Sequence, residues 1–532
     1  MVALFNQFLT KTTMPSKIHS ISMIGLNCEL IEVEADISGG LSSFTIVGLG
    51  DASVQEAKER VRSAIKNSDC NFPIQRKTIN LAPAELKKQG SLFDLPIAIS
   101  ILIASKQVPK EVFDKSIIVG ELALNGNLKP AKGIISIVNF AKRKGFTRIF
   151  LPDINKAEAS LIEGIKIYGV RSLCELKDFC QGRSDLFPVE GGGISEEFYK
   201  NIVSHADANK ENQASFAGIY GLESAKRGLV IAAAGFHNIL MRGRPGGGKT
   251  ILARAFHYLL PPLSLSEAFE LTQIYSASEG LPARIQPSQP LMSTRPFREV
   301  HHTASRIAIV GGGAKLKPGE ITLAHKGVLF MDEITEFPRA SLETLRQPLE
   351  DGYITLNRIK EKAVFPCEFI LLGAMNNCPC GNTGIDLGVA AKACTCTKKQ
   401  VGDYQKRLSG PLLDRFDIFI EVPKISLKNF WDKEAANEDE KIRGSVALAR
   451  ARQNERNNGK PNSKLTAEEI KSVCRLSGKA KTILEKAATK LDLSNRGYLK
   501  TIKIAQTIAD IDGKEEIDEG ALMESLQYRL KT

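Results

Sequence analysis

Residues 243–250 read Gly-Arg-Pro-Gly-Gly-Gly-Lys-Thr, a complete GxxxxGK[ST] loop. The run Asn238-Ile239-Leu240-Met241 before it is apolar enough for a buried strand, and residues 251–256 after it have helical spacing. Strand, loop and helix in that order form the context in which the motif cradles phosphates. Gly243, Gly246 and Gly248 let backbone N–H groups turn inward, and the start of the helix adds partial positive charge. Lys249 is expected to reach the β- and γ-phosphates, and the Thr250 hydroxyl to ligate Mg²⁺. The pattern predicts a site for a nucleoside triphosphate and its metal.

Residues 327–333 supply a second anchor, four apolar residues ending in Asp332 and Glu333. Ligands of a parallel sheet bind at that end of its strands. Asp332 is expected to hold the Mg²⁺ shell, and Glu333 to polarise the attacking water as general base. A third apolar run, 369–375, ends in Asn376 and Asn377. Asn376 can orient the water or the γ-phosphate from a strand lying between the first two; the other reading is a turn residue. Arg415 precedes a further strand at 418–420. It is placed to reach a nucleotide held by a neighbouring subunit, or else to pair with Asp414 or Asp417 at the surface.

A chain of 532 residues is too long for one core and implies three or four domains. Hydrophobic content of 43% and charged content of 25% are those of ordinary globular protein. No apolar run approaches the roughly 20 residues needed to span a bilayer, and no secretion signal is evident, so the expected location is the cytoplasm, with no membrane partner. The net charge of +12 favours a polyanionic partner, nucleic acid first, over a basic surface kept for solubility.

Three regions and a linker separate. Residues 1–185 alternate β-like and helical stretches, an α+β domain. Within it Val54, Ala57, Val61 and Ala64 form one helical face, with Glu56, Lys58, Glu59, Arg60 and Arg62 elsewhere. Residues 186–215 look like a linker, in which Gly191-Gly192-Gly193 is followed by polar, Asn/Lys/Glu-rich sequence. Residues 216–425 alternate strands and helices around the phosphate loop. From 426 to 532 the pattern is helical, with segments at 445–456, 466–476, 479–491 and 497–511.

Together these features resemble an AAA+ ATPase, and in particular the ComM/YifB family of magnesium-chelatase-like AAA+ proteins. The resemblance runs through nearly the whole chain. It is carried by residues 297–305 (Phe-Arg-Glu-Val-His-His-Thr-Ala-Ser), 310–313 (Val-Gly-Gly-Gly), 318–325 (Pro-Gly-Glu-Ile-Thr-Leu-Ala-His), 378–381 (Cys-Pro-Cys-Gly) and 408–415. Residues 494–498 and several stretches of the first domain match as well, among them 60–65 and 93–98. The resemblance implies an α/β fold, an AAA+ P-loop core with a C-terminal helical lid, preceded by an α+β domain similar to the Lon protease domain. It implies ATP and Mg²⁺ as cofactors, a homo-hexamer, and Arg496 as a second sensor of its own subunit's nucleotide. It also implies DNA, single-stranded or branched, as partner, with helicase or branch-migration activity in natural transformation. A chelatase-like or protein-remodelling motor is the rival reading, and an ATP-gated scaffold a third. The chain departs from the family pattern at Arg244 for a usual proline, Asn377 for a common proline, Glu299-Val300 for Ala-Pro, and Phe236 for a usual glycine.

Ten cysteines in a cytoplasmic chain point to metal or buried thiols rather than disulfides. Cys378 with Cys380, and Cys394 with Cys396, form two CxC pairs. Four thiols so close suggest a tetrahedral structural Zn²⁺ site, with reduced free thiols as the alternative. Residues 351–364 read as a β-hairpin with a basic tip of Arg358, Lys360 and Lys362, where related AAA+ motors carry a pore hairpin. An insertion at 306–317 adds Lys315 and Lys317. In a ring these five side chains would converge on a channel and track phosphates, unless they are simply solvated charges.

Lon-type proteolysis needs a serine nucleophile in a turn that here reads Gly90-Ser91-Leu92-Phe93-Asp94, and the nucleophile position falls on Leu92. The purified chain is therefore expected to leave casein intact. Casein degradation that stops on Ser91→Ala would show the opposite.

Overall fold

The computed structural model describes residues 16–86, 88, 90–208, 216, 218–219, 221–278, 291–313, 316–358, 361–382, 394–423 and 438–529. The chain divides into two compact units. The first comprises Met1–Lys200, Phe269–Met292 and Asn357–Ala363; the second comprises Asn201–Ala268, Ser293–Leu356 and Val364–Thr532.

The first unit is built on a mixed eight-stranded sheet. Its strands are β1 (Ser16–Ile24), β2 (Asn27–Ser38), β3 (Phe44–Val47), β4 (Arg76–Ala82), β5 (Ser116–Ile118), β8 (Arg148–Pro152), β9 (Lys166–Val170) and β10 (Val189–Glu190). A separate small hairpin joins β6 (Glu121–Leu122) to β7 (Leu128–Lys129). The sheet order is β10-β9-β8-β5-β1-β2-β4-β3, which leaves β3 at one edge. In β2 the residues Ile31, Val33 and Ala35 are buried while Glu32 and Glu34 alternate with them, the two-residue period of a half-buried strand.

Helix Ala52–Asn67 is capped by Asp51, whose carboxylate accepts the Val54 N–H. Its expected apolar face is buried at Val54, Ala57, Val61 and Ala64. Helix Asp94–Ala104 is apolar on nearly every side, so it lies inside the unit. At its start the buried Asp94 carboxylate accepts two bonds from Arg60, at 2.7 and 3.0 Å. Burial pushes this carboxyl up to about 6, against the pull of Arg60. Nearby, the Ser91 hydroxyl donates to the Glu121 carboxylate, and the buried Lys88 ammonium donates to the Pro83 carbonyl.

The second unit holds a five-stranded parallel sheet of β11 (Ile239–Gly243), β12 (Phe297–Val300), β15 (Val328–Met331), β18 (Ile370–Met375) and β19 (Ile418–Val422). Its order is β12-β15-β18-β11-β19, and every neighbouring pair is parallel. All six residues of β18 and all four of β15 are buried, as a strand covered on both faces requires. Two short ribbons are separate from this five-stranded sheet. One pairs β13 (Gly311–Gly312) with β14 (Lys317–Pro318), and the other pairs β16 (Tyr353–Arg358) with β17 (Glu361–Pro366). The second is the expected hairpin.

The stretch expected to be a linker contains helix Glu196–Ala208, in which Tyr199 and Ile202, one turn apart, are both buried. That spacing is helical, and polar neighbours masked it. The C-terminal part is helical: Glu438–Arg456, Ala467–Val473, Gly478–Lys490, Asn495–Asp512 and Glu519–Gln527. Among the described residues no helix is long and apolar enough to cross a membrane.

One buried ion pair ties the C-terminal helices together. Arg456 donates to both oxygens of Asp510, at 2.6 and 2.9 Å, and Asn462 Nδ2 donates to the same carboxylate at 2.8 Å. Asp510→Ala leaves the guanidinium without its carboxylate, a loss of about 3 kcal/mol by analogy with broken buried pairs. Urea denaturation should show the lowest-lying transition moving to lower concentration, whereas Asp510→Asn should recover part of the difference.

Candidate nucleotide site

Sheet order places the candidate residues. Because β18 lies between β15 and β11, the chain positions following all three strands open at one edge. Helix Lys249–Leu259 starts directly after the loop, whose left-handed Gly246 and Gly248 (φ 71° and 85°) a side chain would strain. The resulting cleft has a volume near 340 Å³, and its lining includes Gly246, Lys249, Thr250, Asp332, Glu333 and Asn376.

Within it the side chains already meet. Lys249 Nζ donates to Asn376 Oδ1 at 3.0 Å and to the carbonyls of Gly243 and Arg244 at 2.9 and 2.8 Å. Burial pulls its ammonium below the usual lysine range, partly offset by Asp332 and Glu333. The Thr250 hydroxyl donates to Asp332 Oδ2 at 2.8 Å, so the two residues expected to share Mg²⁺ stand side by side. The Glu333 N–H donates to Asp332 Oδ1 at 2.9 Å. Glu333 itself is exposed and takes a left-handed backbone (φ 48°), a conformation costing about 1 kcal/mol or more for a residue with a Cβ. The donor set fits a metal-bound triphosphate: backbone amides at a helix start, a lysine, a hydroxyl and two carboxylates.

Arg415 and Arg496 do not line this cleft. Both guanidiniums bind one carboxylate, that of Glu350, and Arg496 Nη2 donates to Oε1 at 2.5 Å. Burial would raise the Glu350 carboxyl, but the two arginines outweigh it and hold it below the usual range. Arg415 also donates to the Pro411 carbonyl at 3.1 Å. The surface partners that its sequence neighbourhood offers, Asp414 and Asp417, are not its acceptors. Asp417 instead pairs with Lys500 at 3.0 Å and faces His237 at 3.5 Å. The juxtaposition has a local cause. Ser494 caps helix Asn495–Asp512, Arg496 sits in its first turn, and Lys500 one turn later donates to the Phe416 carbonyl at 2.8 Å. That bond docks the helix start on the 414–417 loop. Arg496, which the resemblance assigns to its own subunit's nucleotide, therefore stands beside the arginine expected to cross a subunit boundary. Sequence reasoning misses Glu350, since nothing in its local sequence marks it.

The four paired cysteines converge. Their sulfurs all lie within 4.8 Å of one another, with separations of 3.4, 3.7 and 3.5 Å among Cys378, Cys380 and Cys394. None of the four forms a disulfide. Tetrahedral zinc with bonds of about 2.3 Å sets sulfurs roughly 3.8 Å apart, so the spacing suits one metal ion. The cluster abuts the phosphate loop. A Cβ on Gly381 would meet Pro245 Cδ at 2.5 Å.

Of the basic residues, Lys317 and Lys362 are exposed, Arg358 is exposed at the end of β16, and Lys315 and Lys360 lie outside the described residues.

A parallel sheet with a phosphate loop on one strand, acids on the next but one and a polar end between them is the nucleotide core of an AAA+ protein. The family description "Magnesium chelatase, subunit ChlI" matches residues 215–430. "Subunit ChlI of Mg-chelatase" matches 33–155, and "Magnesium chelatase, subunit ChlI C-terminal" matches 436–529. The competence protein ComM of Haemophilus influenzae is 40% identical over 515 residues, 96% of this chain and 97% of that protein. YifB of Escherichia coli is 40% identical over 519 residues, 97% of each chain. A magnesium-chelatase 67 kDa subunit of Heliobacterium mobile is 25% identical over 252 residues, 40% of this chain and 35% of that protein. The chain belongs to the ComM/YifB family of magnesium-chelatase-like AAA+ proteins.

Proposed function

We propose that the chain is an ATP-hydrolysing motor that assembles as a homo-hexamer and works on single-stranded or branched DNA, with helicase or branch-migration activity in the uptake of DNA by natural transformation. The observation that carries the ATPase part is the meeting of Lys249 with Asn376 and of Thr250 with Asp332 at adjoining strand ends. The DNA part rests on the net charge of +12, the basic hairpin residues, and the relative whose name is competence protein ComM. The cytoplasm is the place where such a motor would meet ATP and DNA.

In this reading Lys249 exchanges its carbonyl partners for phosphate oxygens, and Thr250 and Asp332 hold the metal. Bound Mg²⁺ would supply neutralising charge to the phosphate oxygens. Glu333 takes a proton from the attacking water, and Asn376 aligns it. Arg415 and Arg496 leave Glu350 and complete the neighbouring subunit's site, where such an arginine is worth about 10³-fold or more in rate.

A chelatase-like or protein-remodelling motor is favoured by one observation, the match to a magnesium-chelatase subunit. Hydrolysis measured with and without single-stranded and forked DNA at fixed salt separates the two, since only the DNA motor is stimulated.

Lys249→Ala should abolish nucleotide binding, read by fluorescent-analogue titration. Glu333→Gln should bind normally and hydrolyse at least about 100-fold more slowly. Lys249→Ala subunits mixed with Arg496→Ala subunits should hydrolyse ATP well above the sum of the separate proteins, because each donates what the other lacks. Absence of any recovery would return Arg496 to its own subunit's nucleotide.

The cysteine cluster is read as a structural Zn²⁺ site that braces the phosphate loop through Gly381 and Pro245. Gently purified protein should contain one zinc per chain by elemental analysis, and Cys380→Ser should lose it. Stoichiometric free thiols in metal-free, undiminished protein would remove the metal.

A further inference from the structure

The first unit carries a second concave site, remote in sequence from the phosphate loop. Its volume is near 460 Å³, and it lies between helix Ala52–Asn67 and the loop that leads into β4. Four cations line it, Lys58, Arg62, Lys66 and Lys77, against one carboxylate, Glu59. The first three repeat at four-residue intervals and so form a stripe along one helix face, about 6 Å per step. This stripe flanks the buried face of Val54, Ala57, Val61 and Ala64, starting beside it at the half-buried Lys58 and running outward to the exposed Arg62 and Lys66. Arg62 and Lys66 are exposed, Lys58 is half-buried, and none of the three makes an ion pair within the described residues. Fixed like charges at this density repel one another, a cost that an incoming anion removes.

Lys77 is different. It is 1% exposed, and its ammonium donates to the Pro73 and Gln75 carbonyls at 2.8 and 2.6 Å. It also stands 4.7 Å from the Phe72 ring centre. Its N–H bonds the Ser43 carbonyl, which closes the floor of the pocket against β3. Lys77 therefore shapes the cavity and adds buried positive charge beneath it. Phe44 and Phe72, with ring centres 5.8 Å apart, form an apolar wall, and Ile74 beside them is 82% exposed. A row of unpaired cations next to an aromatic wall is the arrangement that binds an unpaired strand, phosphates on the charges and a base on the rings.

We propose that this cavity of the first unit is a binding site for single-stranded nucleic acid. Phosphates lie along Lys58, Arg62 and Lys66, whose step resembles that between neighbouring phosphates of a stretched strand. One unpaired base enters against Phe44 and Phe72. A duplex keeps its bases stacked and paired and cannot offer one to a pocket. The proposal extends the reading of the chain as a DNA motor but does not depend on hydrolysis.

The test uses the full chain and a labelled oligothymidine, followed by fluorescence anisotropy across a range of salt concentrations. The triple variant Lys58→Gln, Arg62→Gln, Lys66→Gln should bind at least about tenfold more weakly near 0.1 M salt, and its log–log salt slope should fall by about 2, at roughly 0.7 for each phosphate no longer neutralised. Its melting temperature and DNA-free ATP hydrolysis should be unchanged, because the three side chains have no structural partner. Phe44→Leu should weaken binding of oligothymidine but not of an abasic strand with the same phosphates. Unchanged affinity and slope in the triple variant overturn the proposal. So does an equal loss for blunt duplex and single strand, or an equal Phe44→Leu loss on abasic strand. If wild-type protein binds no DNA, this site and the motor reading both fail. If it binds through these residues and hydrolysis ignores DNA, the motor reading fails and the site stands.

Discussion

The placement of β18 between β15 and β11 is the constraint on which the rest of the second unit depends. Leu371 and Leu372 pair with Leu329 and Phe330 on one side, and Leu372 through Met375 pair with Ile239 through Arg242 on the other. With both neighbours parallel, the three strands end together, and the residues that follow them must share one edge. Lys249 can reach Asn376 only because no strand intervenes. The same register carries Cys378 and Gly381 past the phosphate loop, so the cysteine cluster inherits its position from the sheet. A substitution that shifted β18 by one residue would turn the strand's own side chains to the other face and displace Asn376, which follows it.

Glu350 plays a comparable part outside the cleft. Two cations more than eighty residues apart in sequence share its carboxylate, and neither reaches the chain's own phosphate loop. A carboxylate holding two arginines near the surface is a weak tie, since solvent screens exposed pairs. It orders the guanidiniums without fixing them. A more highly charged anion can therefore compete for both, and release of one loosens the other's anchor. The sharing also keeps like charges together that would otherwise repel, and so gives the two arginines a common fate.

Much of this was legible in the sequence, for identifiable reasons. The phosphate loop, the Asp332–Glu333 strand end and the Asn376 strand end are continuous apolar runs closed by polar residues, and such runs in a P-loop context read as buried parallel strands. The hairpin at 351–364 and most of the C-terminal helices follow from local periodicity. What local pattern does not contain is partnership across distance. Glu350, the Arg456–Asp510 pair and the cavity beside Lys77 each join residues whose own neighbourhoods are unremarkable. Helix Glu196–Ala208 was hidden because its apolar side is narrow, and helix Glu519–Gln527 because it is only nine residues long.

Phe236 shows how a departure from family pattern becomes intelligible once packing is known. It terminates helix Glu223–Gly235 in the left-handed region, at φ 57°, where glycine is usual because no Cβ opposes that turn. A phenylalanine there is strained. Its ring, however, lies against two guanidiniums, Arg295 at 4.9 Å and Arg450 at 5.0 Å. Arg295 in turn donates to the Pro261 and Lys326 carbonyls and to Glu267. Burial pulls Arg450 down to about 10, with Arg295 adding to the effect, so these two cations need a compensating surface. The aromatic face supplies one, worth about 1 kcal/mol or more for each desolvated cation, which offsets a backbone strain of the same order. Glycine would relax the turn and remove the ring against which both guanidiniums lie. The side chain is retained for what it covers, and the helix bears the strained end that results.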